Sequence, residues 1–432
     1  MKSADNSTES LQTLDDWLDW LQTLSPREIV LGLERVEAVL ERMAIPRPPL
    51  VITVAGTNGK GSCVAMLESI LRRAGARTGC YTSPHLNRYN ERIRVDGRPL
   101  DDAAVISALQ QVESVRKDVP LTYFEFGTLA ALLAFDRAGV DAWVLEVGMG
   151  GRLDAVNVIS PDASLITSIG LDHCAWLGED RETIAREKAG IMRAGVPTVF
   201  GSPDMPAAIA DSAAATGARL LAAGRDFMFE HPADGATWSW RGRDHALHVL
   251  GMPSLVGEMQ LQNAAAVLAV LEALGRDDLL DAEFLSGALA EVRLPGRFQV
   301  IDREQRWIFD VAHNPDAGKV LDGLLARQGY RGQLTAVIGM LEDKDVEGFI
   351  STFGHHVAQW IAVGIEGSRG GAATPLAQKI ANSTGRACLI AATLEEGLGI
   401  AAHRSAVGDT VLVTGSFYIV GPALDWLSQQ GA

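Results

Sequence analysis

The sequence predicts an α/β fold with two domains, each built around a mainly parallel β-sheet. One observation is that short apolar runs rich in β-branched residues alternate with helical patterns along most of the chain. Strands buried on both faces have this near-continuous apolar pattern, which is typical of a parallel sheet covered by helices. The other observation is that a proline and a glycine interrupt the pattern at LPGRFQ, residues 294–299, after which a new series of strands and helices begins. We therefore predict a larger domain at residues 1–295 and a smaller, Rossmann-like domain at residues 296–432.

The first domain is predicted to begin with two helices. Apolar residues recur at helical spacing in LDDWLDWLQTL, residues 14–24, and a second helix is expected from Pro26 to Met43, before the proline-rich IPRPP. Between residues 222 and 252, short polar segments with aromatic residues indicate β-hairpins or an irregular insert. LQNAAAVLAVLEALG, residues 261–275, indicates a further helix. The strands predicted for this domain are Val51–Val54, Ala142–Val147, Ala163–Ile169 and Thr198–Phe200.

The second domain is predicted to contain a second set of strands. They are RWIFDV (306–311), LTAVIGM (334–340), QWIAVGI (359–365) and TVLVTGS (410–416). We interpret TGSFYIVG, residues 414–421, as another glycine-flanked strand end.

Composition excludes several classes of protein. The 432 residues are 47% hydrophobic and 21% charged, as in an ordinary globular protein. A formal net charge of −16 without a long basic run disfavours nucleic acid or an anionic membrane as a partner. The four cysteines are scattered and form no CxxC pair, which disfavours a zinc knuckle or a disulfide framework. Because no signal-peptide pattern or membrane-spanning run is present, we expect a cytoplasmic location.

Polar side chains follow several predicted strands of the first domain at the point where each strand ends. Ser83 and His85 follow one apolar segment, Glu146 lies near the end of the next, and Asp172 and His173 follow a third. In an open parallel sheet, ligands bind beyond the carboxyl ends of the strands. The sequence therefore predicts a polar ligand site at this edge of the sheet.

The turn after the first strand, GTNGKGS, resembles a phosphate-binding loop but departs from the standard pattern. The pattern G-x-x-x-x-G-K-[ST] would need glycine at position 54 and a hydroxyl residue directly after Lys60, whereas the chain has Val54 and Gly61. Glycines 56, 59 and 61 would allow positive φ and close approach of a phosphate, and a helix starting near Ser62 would direct its N–H groups at the anion. The alternative is a tight strand-to-helix turn with a solvated lysine.

Glu146 and Lys188 each have a functional and a structural interpretation. A carboxylate in an apolar strand is costly unless it is paired or binds a metal, so Glu146 either forms a salt bridge with Arg152 or joins Ser83 and His173 in a magnesium site. Lys188 lies in a helical pattern, where the residues alone favour a solvated surface charge.

In the second half of the chain, FDVAHNPDA presents Asp310, His313 and Asn314 after an apolar strand. An acidic residue at a strand end can bind a ribose hydroxyl, as in dinucleotide sites. Arg297, at the hinge, could reach a phosphate. The alternatives are an interdomain salt bridge for Arg297 and a helix cap for Asn314.

Nine motifs occur in the order expected of one family. They are AGTNGKGS, TSPHLNRYNERI, YFEFGTLAAL, LEVGMGGRLDAVN, SIGLDHCAWLG, REKAGIMR, LPGRFQ, FDVAHNPDA and GMLEDKD. From about Leu31 to Gly421 the chain resembles the folylpolyglutamate synthase/dihydrofolate synthase group of the Mur ligase superfamily. The resemblance implies an N-terminal Mur-ligase-type P-loop ATPase domain and an ATP-dependent ligase that phosphorylates a substrate carboxylate and joins it to L-glutamate. We expect both dihydropteroate and tetrahydrofolates as acceptors.

The resemblance also implies roles for individual residues. It assigns Thr57, Asn58, Gly59, Lys60, Gly61, Ser62, Asn263, Arg297 and Asp310 to ATP, and Ser83, Glu146, His173 and a carbamylated Lys188 to Mg²⁺. It assigns Leu31, Gly32, Thr122, Tyr123, Phe124, Glu125, Leu153, Asp154 and Ala155 to the pterin substrate. The implied catalytic residues are Lys60, Lys188, His173 and His313. Two Mg²⁺ sites are expected, and the resemblance also allows a K⁺ ion.

Three alternatives remain at the level of sequence. The chain could have only the folylpolyglutamate synthase activity, or it could be a Mur-type ligase acting on a UDP-linked precursor. The second alternative is disfavoured because only about fifty residues, read as two helices, precede the phosphate loop. The third alternative is a P-loop switch protein without ligase chemistry, which would leave the second domain without a function.

We expect the protein to be a monomer.

Overall fold

The computed structural model describes residues 11–25, 30–231, 235–367 and 370–430. They form two domains, each with its own mainly parallel sheet. The strands of the first domain are β1 Leu50–Ala55, β2 Thr78–Tyr81, β3 Ile93–Val95, β4 Arg98–Pro99, β5 Ala142–Glu146, β6 Ala163–Ile166, β7 Pro197–Phe200, β8 Arg219–Ala222, β9 Met228–Glu230, β10 Thr237–Arg241 and β11 Ala246–Gly251. Those of the second domain are β12 Gln299–Asp302, β13 Arg306–Asp310, β14 Leu334–Ile338, β15 Val357–Val363, β16 Cys388–Ala391 and β17 Thr410–Thr414.

Helices cover both faces of the two sheets. In the first domain they are α1 Leu14–Thr23, α2 Glu34–Met43, α3 Lys60–Arg73, α4 Asp102–Arg116, α5 Tyr123–Ala138, α6 Cys174–Leu177, α7 Arg181–Ala189, α8 Ala207–Thr216, α9 Glu258–Ala273 and α10 Ala282–Ala290. In the second domain they are α11 Pro315–Gln328, α12 Val346–Phe353, α13 Ala373–Thr384, α14 Leu394–Arg404 and α15 Phe417–Gln429. Within the described parts of the chain, every helix is too short or too polar to span a lipid bilayer.

The large sheet has the strand order β4-β3-β2-β5-β1-β6-β7-β8. Strands β2, β5, β1, β6, β7 and β8 are parallel, whereas β3 and β4 run antiparallel at one edge. Val54 of β1 lies opposite Glu146 of β5 on one side and Leu165 of β6 on the other. The carboxyl ends of β1, β2, β5 and β6 therefore meet at one edge, and the polar residues that follow them are brought together there.

Alternate residues of the central strands pack into different cores. Val51 faces a core formed mainly with α1, α2, α4 and α5, whereas Ile52 and Val54 face α3, α9 and α10. Each fully buried aliphatic or phenyl side chain stabilises the fold by about 1.5–3 kcal/mol. Because both faces of the sheet are covered in this way, the strands need to be apolar throughout, as the sequence indicated.

Within the described part of residues 222–252, three strands form an antiparallel sheet in the order β11-β10-β9, which agrees with the predicted β-hairpins rather than with an irregular insert. Trp238 and Trp240 of β10 are buried against the first domain. The indole N–H of Trp240 donates to the carbonyl of Ala265 in α9 at 3.1 Å. This small sheet therefore packs onto α9 and away from the strand ends.

The second sheet has the order β12-β13-β17-β14-β15-β16, with only β12 antiparallel to its neighbour. Thr414 at the end of β17 lies opposite both Asp310 and Ile338. The loops after β13, β14 and β17 therefore lie side by side and face the first domain.

Some predicted element boundaries are wrong. The second helix begins at Glu34, because Gly32 has a φ of +148°, which a helix cannot contain. Part of the predicted start, residues 26–29, lies outside the described residues. The strand predicted to run to Ile169 ends at Ile166, and the segment after Thr414 is a short turn followed by α15 rather than a longer strand end.

Candidate active site

A cleft of about 2330 Å³ lies between the domains. It is lined by the segments after the central strands of the first sheet and by the loops after β13, β14 and β17 of the second. Every site residue predicted from the sequence lines this cleft except Gly32, although its neighbour Leu31 does. Residues about 260 positions apart in the chain are therefore brought to one place by the tertiary structure.

Contacts across the cleft hold the two domains together. The side-chain amides of Asn58 and Asn314 exchange two hydrogen bonds, of 3.1 and 3.0 Å. Asn314 also caps α11 by accepting a hydrogen bond from the backbone N–H of Ala317, so the predicted cap is confirmed. The ammonium of Lys344 lies 2.5 Å from a carboxylate oxygen of Asp172, and both side chains are largely buried.

The phosphate-type loop adopts a conformation that two of its glycines require. Gly56 has a φ of +145°, and a Cβ there would lie 1.9 Å from the hydroxyl of Thr167. Gly59 has a φ of +89°, and a Cβ there would lie 2.6 Å from the side-chain oxygen of Asn263. Both glycines are therefore explained by the packing of the protein itself.

The helix that follows this loop presents its N-terminus to the cleft. Helix α3 begins at Lys60, two residues earlier than predicted. Its N-cap residue is Gly59, so no side chain caps the helix. The first-turn N–H groups, those of Lys60, Gly61 and Ser62 among them, lack intrahelical partners and carry roughly half a positive charge. This end of α3 suits an anion such as phosphate.

Gly61 differs from the other two glycines, because it lies in α3 without positive φ. The prediction that Gly61, like Gly56 and Gly59, adopts positive φ is wrong. A Cβ at this position would lie 3.7 Å from the carboxylate of Glu146 and 3.9 Å from the guanidinium of Arg297, which are ordinary contacts. The fold therefore tolerates a side chain here, and the glycine instead leaves room on the cleft side.

We expect Gly61→Ala to fold normally and to bind nucleotide poorly. The new methyl group would fit the protein and slightly favour the helix, but it would occupy space beside the α3 N-terminus. The melting temperature should be unchanged or slightly raised, whereas the Kd for ADP measured by calorimetry should rise at least about tenfold, which corresponds to about 1.4 kcal/mol.

Gly59→Ala is the matched control in the same loop, because its Cβ would clash with Asn263. This variant should lose stability as well as affinity. Equal melting temperatures for the two variants, or undiminished ADP binding by Gly61→Ala, would contradict the distinction.

Two lysines converge on one carbonyl group of the loop. The Nζ atoms of Lys60 and Lys188 donate to the carbonyl oxygen of Gly56 at 3.1 and 3.0 Å, and Lys60 also donates to that of Thr57. Lys188 is 5% exposed, so its interpretation as a solvated surface charge is wrong. Burial, reinforced by the charge of Lys60, lowers the pKa of Lys188 to about 7. A substantial fraction of its amine is therefore neutral and nucleophilic near neutral pH.

Glu146 is a buried carboxylate at the end of β5. One of its oxygens accepts a hydrogen bond of 3.2 Å from the backbone N–H of Ser83. Burial raises the pKa of Glu146, while the charges of Lys60 and Arg297 oppose the increase. Arg152 does not pair with it, because the Arg152 guanidinium binds Glu187 at 2.9 Å. Glu146 thus keeps oxygen atoms that could bind a cation.

His173 contributes a neutral imidazole near these groups. Burial and the positive charges of Lys344, Lys60 and Lys188 lower the pKa of His173 to about 4, despite the nearby carboxylate of Asp172. Its Nδ1 atom is buried without a hydrogen-bond partner among the described residues. An unsatisfied ring nitrogen on a neutral imidazole fits a metal ligand.

Asp172 links the two domains and was not assigned a role from the sequence. Burial alone would raise the pKa of Asp172, but a hydrogen bond from His313 and the charges of Lys344 and His173 hold it well below its usual range. His313 lies between two acceptors, with Nδ1 2.8 Å from the carbonyl of Val311 and Nε2 3.5 Å from Asp172. Sequence reasoning also missed Lys344, although it belongs to the GMLEDKD motif directly after β14.

The hinge and the second domain contribute two further buried charged groups, Arg297 and Asp310. The carboxylate of Asp310 accepts hydrogen bonds of 2.8 Å from the backbone N–H groups of Phe298 and Ala312, and burial raises its pKa. Burial lowers the pKa of Arg297, whose guanidinium lies 5.0 Å from the ring centre of Phe417. No carboxylate of the described residues forms a salt bridge with Arg297, so the interdomain salt bridge considered for it is absent there. The side chain is therefore left facing the cleft.

The predicted pterin contacts lie around the start of α5 and the turn after β5. Thr122 caps α5, and the carboxylate of Glu125 accepts hydrogen bonds from the Thr122 N–H at 2.7 Å and from Arg35 at 2.6 Å. The carboxylate of Asp154 accepts backbone hydrogen bonds, and burial raises its pKa to about 6. These acidic groups position the loops, while Tyr123 presents an aromatic ring to the cleft.

Arg92 is a cleft residue that sequence reasoning missed. It is 8% exposed, donates to the ring nitrogen of His85 at 2.8 Å, and lies over the rings of Tyr89 and Tyr123. No carboxylate of the described chain lies within ion-pair distance of it. A buried guanidinium without a counter-ion suits an anionic group of a ligand. Its only sequence signal was the charge-rich loop RYNERI.

Comparison with known proteins agrees with this arrangement. Residues 54–271 match the model of the Mur ligase middle domain, and residues 296–417 match that of the Mur ligase glutamate ligase domain. The dihydrofolate synthase/folylpolyglutamate synthase of Escherichia coli (strain K12) is 41% identical over 418 residues, which are 96% of each chain. The chain belongs to the dihydrofolate synthase/folylpolyglutamate synthase family.

Solved structures of dihydrofolate synthase/folylpolyglutamate synthase proteins superpose closely. E. coli FolC in complex with DHPP and ADP has a TM-score of 0.90 and 40% identity, covering 98% of this chain and 99% of the other. A bifunctional folylpolyglutamate synthase/dihydrofolate synthase with Mn, AMPPNP and L-glutamate bound has a TM-score of 0.88 and 42% identity, covering 96% and 98%. The predicted two-domain Mur ligase fold is thus confirmed.

Membership of the dihydrofolate synthase/folylpolyglutamate synthase family agrees with a nucleotide site in this cleft. Members of this Mur ligase group are ATP-dependent ligases. One relative's structure contains ADP, and another contains AMPPNP together with Mn. A ligase needs an anion-binding helix terminus and a cation-binding carboxylate in the same cleft. The α3 N-terminus and the buried carboxylate of Glu146 both lie in this cleft.

Proposed function

We propose that the chain is an ATP-dependent ligase that joins L-glutamate to dihydropteroate, giving dihydrofolate, and adds further γ-linked glutamates to tetrahydrofolates. The observation that carries the proposal is one interdomain cleft that contains the α3 N-terminus, Lys60 and the buried Glu146, in a chain that matches its bifunctional relatives over almost their whole length. The DHPP, ADP and glutamate in relatives' structures support the substrate classes.

The triphosphate of ATP is placed against the loop and the first turn of α3. Backbone N–H groups of Gly59, Gly61 and Ser62 would donate to the phosphates, and the ammonium of Lys60 would neutralise their charge. Asn263 lies against Gly59, and Arg297 faces Gly61, so both are next to this position. Asp310, which is held by two backbone hydrogen bonds, would accept a hydrogen bond from a ribose hydroxyl. Thr57 and Asn58 would shape the loop through their hydrogen bonds to Gly170 and Asn314.

A divalent ion, Mg²⁺ in the cell, would be held by Ser83, Glu146, His173 and a modified Lys188. The unsatisfied Nδ1 of His173 and the remaining lone pairs of the Glu146 carboxylate fit such an ion. When bound, it supplies charge neutralisation for the phosphoryl group in transfer. We further propose two Mg²⁺ sites in the cleft, with K⁺ as the alternative occupant of one of them.

Carbamylation would convert Lys188 from a buried cation into an anionic ligand. Its neutral amine, favoured by the lowered pKa, attacks the carbon of CO₂; an N–C bond forms and one proton is released. The new carboxylate would remove the cost of burying an ammonium next to Lys60 and would add two oxygen ligands.

The proposed reaction has two steps, phosphorylation of the acceptor carboxylate and formation of the amide. A carboxylate oxygen of the pteroate or folate attacks the γ-phosphorus, the bond to the β-phosphate oxygen breaks, and ADP leaves. The neutral amine of glutamate then attacks the acyl carbon, phosphate leaves, and the amine loses a proton. The roles of this chain's own residues are to position the reactants and to neutralise charge.

We assign His313 and Arg92, which both line the cleft, to the second half of the reaction. We place His313, which is hydrogen-bonded to the carbonyl of Val311, between the nucleotide and glutamate sites. The uncompensated guanidinium of Arg92 suits a substrate carboxylate. The pterin would lie by Leu31, the start of α5 and the turn that includes Leu153 and Ala155, all of which line the cleft.

We further propose a domain boundary at residue 295 and a cytoplasmic, monomeric enzyme.

Phosphate release by the purified protein tests the proposal. We expect release from MgATP only when glutamate is present with dihydropteroate or with a tetrahydrofolate, and mass spectrometry should show each acceptor gaining one glutamate residue. Release with glutamate and a tetrahydrofolate, but not with glutamate and dihydropteroate, would indicate that the protein has only the folylpolyglutamate synthase activity. Hydrolysis that is indifferent to both substrates would instead favour a nucleotide switch, and use of a UDP-linked peptide precursor would favour another Mur-type ligase.

A further inference from the structure

A second group of potential metal ligands lies in the second domain, away from the cleft. It consists of Asp322, His355 and His356, and none of these three residues lines the cleft. The Nε2 atoms of His356 and His355 lie 2.9 and 3.4 Å from the same oxygen of Asp322. One ligand atom from each residue lies within 4.8 Å of the other two. The three side chains therefore converge on one point at the surface.

Close packing of two helices holds this group in place. Asp322 belongs to α11, and the histidines lie on a single 3-10 turn, Gly354–His356, that directly follows α12. The helices approach closely at Gly318 of α11, where a Cβ would lie 2.3 Å from the hydroxyl of Thr352. The ligands are thus presented by a rigid scaffold rather than by long flexible loops.

The orientation of the rings is also constrained. The two imidazole rings lie with their centres 4.0 Å apart, and Tyr330 packs edge-on against His356 at 5.6 Å. His356 is largely buried, whereas the His355 side chain is 64% exposed. Both Nε2 atoms face one carboxylate oxygen, and the exposed side leaves room for water to complete a coordination shell.

We propose that Asp322, His355 and His356 form a binding site for a divalent transition-metal ion. Two imidazole nitrogens and one carboxylate are a ligand set preferred by Zn²⁺, Co²⁺ or Ni²⁺, whereas Mg²⁺ prefers oxygen ligands alone. Small rotations of the side chains would bring each ligand atom to about 2.0–2.2 Å from a Zn²⁺ ion. This site would differ in metal preference from the cation site in the cleft.

The location gives the ion a defined structural effect. Helix α11 begins directly after the cleft residues His313 and Asn314, and α12 begins shortly after Lys344. Asp322 lies seven residues along α11, about 10 Å from its first residue. A bound ion would tie α11 to the segment that follows α12 and so join the two helices that begin just after these cleft residues.

The test is Zn²⁺ binding to the untagged full-length chain, measured by calorimetry with saturating Mg²⁺ and ADP to occupy the cleft. We expect one Zn²⁺ per chain, and Co²⁺ should give the visible absorption of an imidazole-ligated ion. The variant His355→Ala/His356→Ala should bind Zn²⁺ at least about 100-fold more weakly, because loss even of groups that only support a ligand costs 10–100-fold. Asp322→Asn should show an intermediate loss.

His403→Ala, which removes another exposed histidine of the same domain, is the matched control and should bind as the wild type does. Circular dichroism and ADP affinity should be unchanged in all variants, because none of these residues contacts the cleft. Wild-type protein that binds no Zn²⁺ under these conditions would overturn the proposal. Undiminished Zn²⁺ binding by the double variant would also overturn the proposal, because the ion would then bind elsewhere. Asp322, His355 and His356 would in that case be only a hydrogen-bonded cluster at the surface.

Discussion

Replacing Lys60 with alanine is expected to lower kcat/KM by at least about 10²–10³-fold while leaving the protein folded. The loss is large because the ammonium lies at the N-terminus of α3, where it would neutralise charge on the transferred phosphoryl group. The fold depends on it little, since among the described residues the Lys60 ammonium donates hydrogen bonds only to the carbonyls of Gly56 and Thr57. Losing each should cost about 1 kcal/mol.

Steady-state phosphate release, together with ADP calorimetry and thermal melting, checks this expectation. Lys379→Ala in α13 is the matched control, because it removes a lysine that does not line the cleft. Near-normal turnover by Lys60→Ala would remove the assignment of this loop to the phosphates. A collapse of the melting temperature would instead mean that the lysine mainly supports the loop.

Lys188→Ala is expected to be the second strongly impaired variant, with turnover reduced about 10²–10³-fold, the loss found for removal of one group that stabilises charge in a transition state. The variant removes the group that carbon dioxide would convert into an anionic ligand, and it leaves a space beside Gly56 that a small carboxylate can enter. Acetate or propionate should therefore restore part of the activity. The same carboxylates should not restore Lys60→Ala, which makes that variant the control.

The pH dependence of stability gives an independent measurement on Lys188. Because its pKa falls from 10.5 to about 7 on folding, the unfolded chain binds more protons than the folded chain between these pH values. The contribution of unmodified Lys188 to the free energy of unfolding therefore increases as the pH rises from about 7 to 10.5. Thermal melting of CO₂-free protein should show this increase, and Lys188→Met should lack it.

Bicarbonate should remove part of the same pH dependence in the wild type, and labelled bicarbonate should give a carbamate carbon signal by NMR. A Lys188→Ala variant with normal activity would contradict a role in catalysis. Identical melting curves with and without CO₂ would contradict the carbamate alone, and the phosphate-loop assignment would be unaffected.

Local sequence was sufficient to predict the sheets and the edge at which the site lies. The apolar runs, such as Val51–Val54, predict strands because a parallel sheet is covered on both faces. Polar residues at the end of each run indicated the position of the site. The ends of parallel strands share one edge, so the presence of Glu146 and His173 near the phosphate loop followed from order along the chain. The motifs further predicted the family.

Other features depended on contacts between residues distant in the chain. The sequence marks Lys188 only as a helical lysine, and its burial beside Gly56 comes from packing of α7 against a loop 132 positions earlier. Likewise, only the fold shows that Arg152 pairs with Glu187, and that Lys344 reaches Asp172 across the domain interface.

What the sequence by itself determined is therefore the set of strands and helices, the edge of the sheet that carries the site and the chemical types of the groups available there. The tertiary structure alone decided which charges are buried or paired, and which glycines of the loop have room for a side chain. The physical reason is that hydrophobic periodicity acts over a few residues, whereas desolvation and charge pairing depend on neighbours supplied by other parts of the chain.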